Sequence, residues 1–224
     1  MKLYMHPAST TCRPIMLFAA EEGIALDQQV VDLMTGAQLK PEYLAINPNG
    51  QVPVLEDGAF RLTESSAILK YMAEKSGSAA YPKDLQARAR VNEAMDWFNT
   101  NFYRSFGYGL CYSQILDHYK LPDATAQKLT LEAAMKRACQ SFRILNDHML
   151  GSGKPYLCGD HITIADYFAS GLLSLGEVTG CTFADYSNVV RWYGRMKSLP
   201  QWQATNAGVF AWADFARGPA YVTL

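Results

Sequence analysis

A proline that opens a short apolar run limits this chain more than any other feature. In Asn49-Gly50-Gln51-Val52-Pro53-Val54-Leu55, Pro53 follows a β-branched residue and has no N–H to give to a sheet ladder. Such a residue belongs at a strand start or a sheet edge. A cis Val52-Pro53 bond would turn the backbone groups of Val52 outward, where an extended peptide could pair with them. Eleven residues after Pro53, the stretch Glu64-Ser65-Ser66-Ala67-Ile68 reads as a helix start. Its unpaired N–H groups and positive dipole end favour a carboxylate. The spacing therefore predicts a receptor for a small acidic peptide. Upstream, Ser9-Thr10-Thr11-Cys12-Arg13 supplies a hydroxyl-rich loop leading into another helix.

The 224 residues suffice for one large domain or two small ones with a substantial core. Hydrophobic residues make up 49% and charged residues 18%, the balance of a globular chain. A net charge of -1 leaves no basic surface for phosphate, so nucleic acid is not expected as a partner. No run of about 18 apolar residues could span a bilayer, so no membrane partner is expected. Met1-Lys2-Leu3-Tyr4-Met5 meets His6-Pro7 before a signal core could form, which predicts a cytoplasmic location. The cysteines Cys12, Cys111, Cys139, Cys158 and Cys181 are odd in number and widely spaced, as free thiols of a reducing compartment would be. They and the histidines His6, His118, His148 and His161 lack ligand spacing, and no metal site is expected.

Residues 2–6 alternate and read as a strand. Residues 12–22 carry a helical stripe of Ile15, Phe18 and Ala19, closed by Gly23. Residues 26–31 read as a second strand, and 33–48 as loop with irregular helix up to Asn47-Pro48. Residues 53–55 and 60–62 form a hairpin about Glu56-Asp57-Gly58, followed by a helix over 65–75 that ends before Gly77. This order, β-α-β then β-β-α, predicts an α/β thioredoxin-like N-terminal domain. Gly77-Ser78-Ala79-Ala80-Tyr81-Pro82 reads as a linker, and everything after it as an all-α helical bundle.

Ala87, Val91, Met95, Phe98 and Phe102 recur at steps of three and four, as do Leu131, Met135, Ala138, Phe142, Leu145 and Met149. These are core faces, and their spacing carries no chemistry. Residues 189–199 form the last convincing helix. Ile162-Thr163-Ile164-Ala165-Asp166-Tyr167 predicts a structural capping box, with Thr163 as N-cap answering Asp166 and Ile162 stapled to Tyr167.

The Ser9–Arg13 loop, Val52-Pro53 and Glu64-Ser65 together resemble the glutathione site of the soluble glutathione transferases, and the resemblance covers nearly the whole chain. The loop is similar to the serine-x-x-cysteine-arginine motif of the theta class, with Thr10 and Thr11 in place of the usual glutamine and proline. Residues 81–91 are similar to the theta segment entering the first long helix. His6-Pro7-Ala8-Ser9 and Tyr156-Leu157-Cys158-Gly159 look like the bacterial dichloromethane dehalogenase branch. The resemblance implies a thioredoxin-like glutathione-binding domain over 1–77, a linker and helix start over 78–88, and a helical domain over 89–224. That last domain would hold a hydrophobic substrate pocket and a C-terminal lid.

Glutathione is γ-Glu-Cys-Gly, so each end needs a grip. Glu64 offers a carboxylate to the γ-glutamyl ammonium, and Ser65 a hydroxyl and N–H to the γ-glutamyl carboxylate. Both residues also suit an ordinary helix start. The backbone at Val52 and Pro53 would pair with the cysteinyl residue. Gln38 and Gln51 stand where theta enzymes tend to carry histidine and lysine, and would approach the glycine carboxylate with weaker charge assistance. A free thiol with a pKa of about 8.5 is mostly protonated at neutral pH. A donated hydroxyl stabilises its anion, and Ser9 is the catalytic candidate, with Thr10 and Thr11 as helix caps or as substitutes for it. Cys12 reads as an inert buried residue. Arg13 could orient the loop or add positive field near the sulfur. Thr11, Tyr103, Arg104, Tyr108, Tyr112 and Trp212 are the candidates for the electrophile pocket, and Phe102 is explained equally well by core packing. The aromatic tail over 209–224, with Phe210, Trp212 and Phe215, would fold over that pocket.

The resemblance thus implies a cytoplasmic, homodimeric glutathione transferase acting on a small hydrophobic electrophile by conjugation or halide displacement. Glutathione would be its co-substrate, with no metal or organic cofactor. The alternatives are a glutathione-dependent disulfide reductase using the Thr10/Thr11 neighbourhood, and a non-catalytic protein that binds hydrophobic ligands.

Overall fold

The computed structural model describes residues 1–216 and 220–224. Strands β1 (Lys2–Met5), β2 (Asp27–Val30), β3 (Val54–Asp57) and β4 (Phe60–Leu62) form one mixed sheet of order β2-β1-β3-β4. Parallel strands need a crossover, and α1 (Arg13–Glu21) supplies it between β1 and β2. β3 runs antiparallel to β1 and pairs with β4, so the N-terminal unit is thioredoxin-like as expected. The hairpin turn differs in place. Glu56 pairs with Arg61 and Asp57 with Phe60, so both belong to β3, and the turn is Gly58-Ala59 with Gly58 at φ 62. The Val52-Pro53 bond just ahead of β3 is cis. Short turns over Leu33–Thr35, Ala37–Leu39 and α2 (Pro41–Leu44) fill the irregular stretch, and α3 (Ser65–Ser76) packs beside α1.

Beyond the linker, the carboxylate of Asp84 caps α4 (Leu85–Trp97) by accepting from the Ala87 N–H at 2.9 Å. The helix then widens into π turns over Phe98–Tyr112 and ends in α5 (Ser113–Ile115). α6 (Ala124–Arg143) lies against that wide segment and itself widens over Ile144–Met149. Val91, Met95, Phe98 and Phe102 are all fully buried, whereas Ala87 is exposed with its neighbours Leu85 and Gln86 at the start of α4. α7 (Ile164–Leu173) is buried along its full length and begins at the expected capping box of Thr163 and Asp166. α8 (Leu175–Thr179), α9 (Ser187–Lys197) and α10 (Trp202–Ala216) complete the bundle. Among the described residues no helix is long and apolar enough to cross a membrane.

α10 corrects the reading of the C-terminal region. It is one continuous helix that buries Trp202, Asn206, Val209 and Ala213, so the tail expected to fold as a lid from residue 209 starts inside the scaffold. Phe215, expected to be covered, is 86% exposed. Arg217, Gly218 and Pro219 of the expected lid lie outside the described residues. The final segment is pinned by Gln114, whose amide donates to the Val222 carbonyl at 3.1 Å and accepts from the Val222 N–H at 2.8 Å.

Candidate active site

Ser9 sits where the chain turns from β1 into α1. Its N–H donates to the His6 carbonyl at 2.9 Å, and its own carbonyl accepts from the N–H groups of Cys12 and Arg13, both at 3.2 Å. The Ser9 hydroxyl oxygen lies 3.4 Å from the Cys12 N–H and 3.2 Å from the Thr11 hydroxyl. Thr11 donates to the Val52 carbonyl at 3.3 Å, which ties the loop to the cis-proline turn across 41 residues of sequence. A hydroxyl has a single proton. Thr11 has committed its own to Val52, so Ser9 is the donor between the two, and its proton is the one that can be redirected.

The two other candidates in the loop are differently placed. Thr10 is 2% exposed and accepts from the Tyr112 hydroxyl at 2.8 Å, which in turn lies 2.9 Å from the Tyr103 hydroxyl. Thr10 is thus a tie to the helical domain, unlike the partly exposed Ser9 and Thr11. Cys12 is fully buried, and burial pushes its thiol up to about 11, as suits a packing residue rather than a nucleophile.

The turn before Pro53 is held by residues the sequence reading passed over. Tyr43 and Asn47 both donate to the Gln51 carbonyl at 2.7 Å, and Asn47 also accepts from the Asn49 N–H at 3.1 Å. An asparagine two residues ahead of such a turn is the signal that could have found Asn47. Among the described residues the Val52 N–H has no partner. Gln38 approaches the same turn through its backbone: a Cβ on Gly50 would lie 3.3 Å from the Gln38 carbonyl oxygen. The Gln51 side chain is exposed.

Glu64 holds a backbone conformation rare for a residue with a side chain, φ 63 and ψ 111, at the N-cap of α3. Such a conformation costs about 1–3 kcal/mol and persists where the surroundings enforce it, often at functional sites. An ordinary helix start would use the side chain as a cap. Glu64 makes no cap hydrogen bond, and its carboxylate is exposed beside the buried Ser65.

Across from Glu64 stands a wall of phenols. The Tyr103 and Tyr108 rings lie 4.8 Å apart and Tyr108 and Tyr112 5.5 Å, while Tyr119, missed in the sequence, lies 5.7 Å from both Tyr108 and Tyr112. Tyr108 is 40% exposed. Burial raises its phenol pKa, and the Glu64 carboxylate adds to the rise, so the two groups lie within electrostatic reach. Steps of five and four put residues 103, 108 and 112 on one face of turns closed by i to i+5 bonds. Arg104 falls off that face. It lines a separate cleft of about 620 Å³ with Trp97, Asn101, Arg137 and Gln140, which removes it from the expected pocket. Trp212 packs partly against the main core, with no ring contact to the phenols among the described residues.

Comparison with known proteins identifies the two domains. The glutathione S-transferase N-terminal domain family matches residues 1–74, and the C-terminal domain family matches residues 111–200. Human glutathione transferase theta-2, solved with glutathione and an unknown ligand, is 31% identical over 96% of this chain and 89% of its own, with a TM-score of 0.85. Human glutathione-S-transferase T1-1 in its apo form is also 31% identical, covering 96% of this chain and 91% of its own, with a TM-score of 0.82. A delta-class glutathione transferase of Nilaparvata lugens is 29% identical over 96% of this chain and 98% of its own, with a TM-score of 0.81. Likeness of this extent, joined to matches at both domains, makes the chain a member of the glutathione S-transferase family of enzymes.

Proposed function

We propose that this transferase is theta-like and cytoplasmic, works as a homodimer, and activates glutathione through the Ser9 hydroxyl for attack on a small apolar electrophile. One observation carries the reading: the Ser9 hydroxyl is partly exposed and meets only its loop neighbours, whereas Thr11 donates to the Val52 carbonyl and Thr10 is buried against Tyr112. Bound glutathione would lie along Val52, whose N–H is unpaired among the described residues, with its γ-glutamyl end at Glu64 and Ser65 and its glycine end toward Gln38 and Gln51. That human theta-2 was solved with glutathione supports glutathione as the ligand. The phenol wall of Tyr103, Tyr108 and Tyr112 would form the electrophile side, with Thr11 also lining it. No metal or organic cofactor takes part. A panel of aryl halides, alkyl halides, peroxides and mixed disulfides tests the reading. Turnover of halides with release of the thioether supports it, and turnover of mixed disulfides alone would replace it with a reductase.

Glu64→Ala should separate binding from chemistry. The carboxylate grips the ammonium group in ground state and transition state alike, so its loss should raise the glutathione KM more than it lowers kcat. Calorimetry that found glutathione affinity unchanged would reduce Glu64 to a helix-start residue.

A further inference from the structure

Arg13 opens α1 four residues after Ser9, and it is only 1% exposed. Its Nη1 donates to the Ser174 hydroxyl at 2.6 Å and to the Asn206 side-chain oxygen at 2.5 Å. Its Nε and Nη2, equally buried, meet no acceptor among the described residues. An arginine stays charged, and a buried charge is ordinarily matched by an opposite one. Here both partners are neutral. The titratable groups that face the guanidinium are Tyr103 and Tyr112 from the wide helical segment, Tyr193 from α9, and Cys12 on the same turn. Burial pushes all four upward, so they too are neutral at physiological pH. The carboxylate beyond Tyr193, Glu177, accepts from the Tyr193 hydroxyl and from Lys197, both at 2.8 Å, and so is matched by its own cation.

The loop cannot drift from this charge. Gly171 on α7 lies so close to Pro14 that a Cβ would collide with its ring, and a Cβ on Gly208 of α10 would sit 2.8 Å from the Pro7 carbonyl carbon. Two helices of the bundle therefore press the 7–14 segment in place while Ser174 and Asn206, on either side of that contact, hold Arg13.

We propose that Arg13 is a second source of thiolate stabilisation: a buried cation, kept uncompensated by the neutral acceptors Ser174 and Asn206, whose field reaches the sulfur of glutathione bound at Ser9. The inference rests on the Ser9 reading for the position of the sulfur. A carboxylate in place of Asn206 would satisfy the guanidinium better and cancel its field. Neutral acceptors orient the group and leave its charge intact, in a low-dielectric setting where it acts over a longer range than in water. The dipole of α1 adds in the same sense. The thiol proton leaves to solvent, and the remaining anion is what the field favours. Arg13 does not touch the sulfur, so its part is electrostatic support.

Asn206→Asp is the decisive variant, since it adds a charge with almost no change of shape. The thiolate absorbance of bound glutathione, followed against pH, should show its pKa raised by about one unit, a roughly tenfold smaller thiolate fraction below the midpoint. The pH profile of kcat/KM should move to higher pH by the same amount, with the glutathione KM little changed. Asn206→Ala loses the same donation to the Trp202 carbonyl and one acceptor of Arg13 without adding charge, and should raise the thiol pKa by clearly less than Asn206→Asp does. An unchanged pKa in Asn206→Asp, or an equal rise in Asn206→Ala, would overturn the proposal. Should Asn206→Asp fail to fold, Ser174→Asp brings a carboxylate to the other side of the same guanidinium and carries the same expectation. A pKa unmoved by Ser9→Ala but raised by Asn206→Asp would remove Ser9 and leave Arg13 standing, so the two ideas fail separately.

Discussion

Ser9→Ala should lower turnover roughly tenfold to a thousandfold, the scale of losing one preorganised donor to an anion, with little change in glutathione affinity. The asymmetry follows from where the hydroxyl acts: it favours the thiolate over the thiol and makes no contact that the tripeptide needs for docking. Some stability should go with it, because the Ser9 oxygen also lies 3.4 Å from the Cys12 N–H at the start of α1. A weak cap of that kind is worth about 0.5–1 kcal/mol, too little to imitate the kinetic loss. Near-native turnover in Ser9→Ala would pass the role to Thr11, whose proton could leave Val52 once a peptide occupies that carbonyl. Thr11→Val then becomes the informative partner, and ultraviolet titration of the bound thiolate in each variant decides between them. Thr10 enters last, since it is 2% exposed and its hydroxyl is turned to Tyr112 of the helical domain.

That ranking of three neighbouring hydroxyls is what the sequence alone could not give. Local signals were legible: the alternation in β1, the stripe and glycine stop of α1, the Gly-bearing hairpin and the Thr163/Asp166 box all depend on residues within a few positions of one another. The partners that sort Ser9, Thr10 and Thr11 lie at Val52 and Tyr112, 41 and 102 residues away from the groups they touch. Arg104 was misplaced because the wide winding of Phe98–Tyr112 shifts which residues share a face, and nothing in the composition announces that winding. α10 was missed for a different reason. Its buried face includes Thr205 and Asn206, so the apolar stripe is interrupted where the helix reaches Arg13. The interruption that hid the helix is the polar contact at Arg13.

Asp166→Ala should destabilise the fold by about 3–5 kcal/mol, near the top of the range for single substitutions. The carboxylate is fully buried and accepts four hydrogen bonds, each at 2.9 Å: from the Thr163 N–H, the Thr163 hydroxyl, the Leu157 N–H and the Trp192 indole. Burial pushes its pKa up, and these donors pull against that rise. Alanine would leave two backbone N–H groups and an indole N–H in a dry interior, each costing about 1–3 kcal/mol before any relaxation. Part is recovered as the Thr163 hydroxyl rotates, which is why the sum falls short of the full count. Asp166→Asn should cost less, since its oxygen can still serve Leu157 and Trp192 while its amide faces the Thr163 N–H. The effect should be confined to stability. α7 carries Gly171 against the active loop and ends at Ser174, but the box acts at its first turn, so the folded fraction should keep its native kcat and glutathione KM. Urea unfolding monitored with activity checks both halves. A loss under about 1 kcal/mol would mean that water reaches the freed donors. A fall in kcat of the folded enzyme would mean that the start of α7 helps set the Ser9 loop.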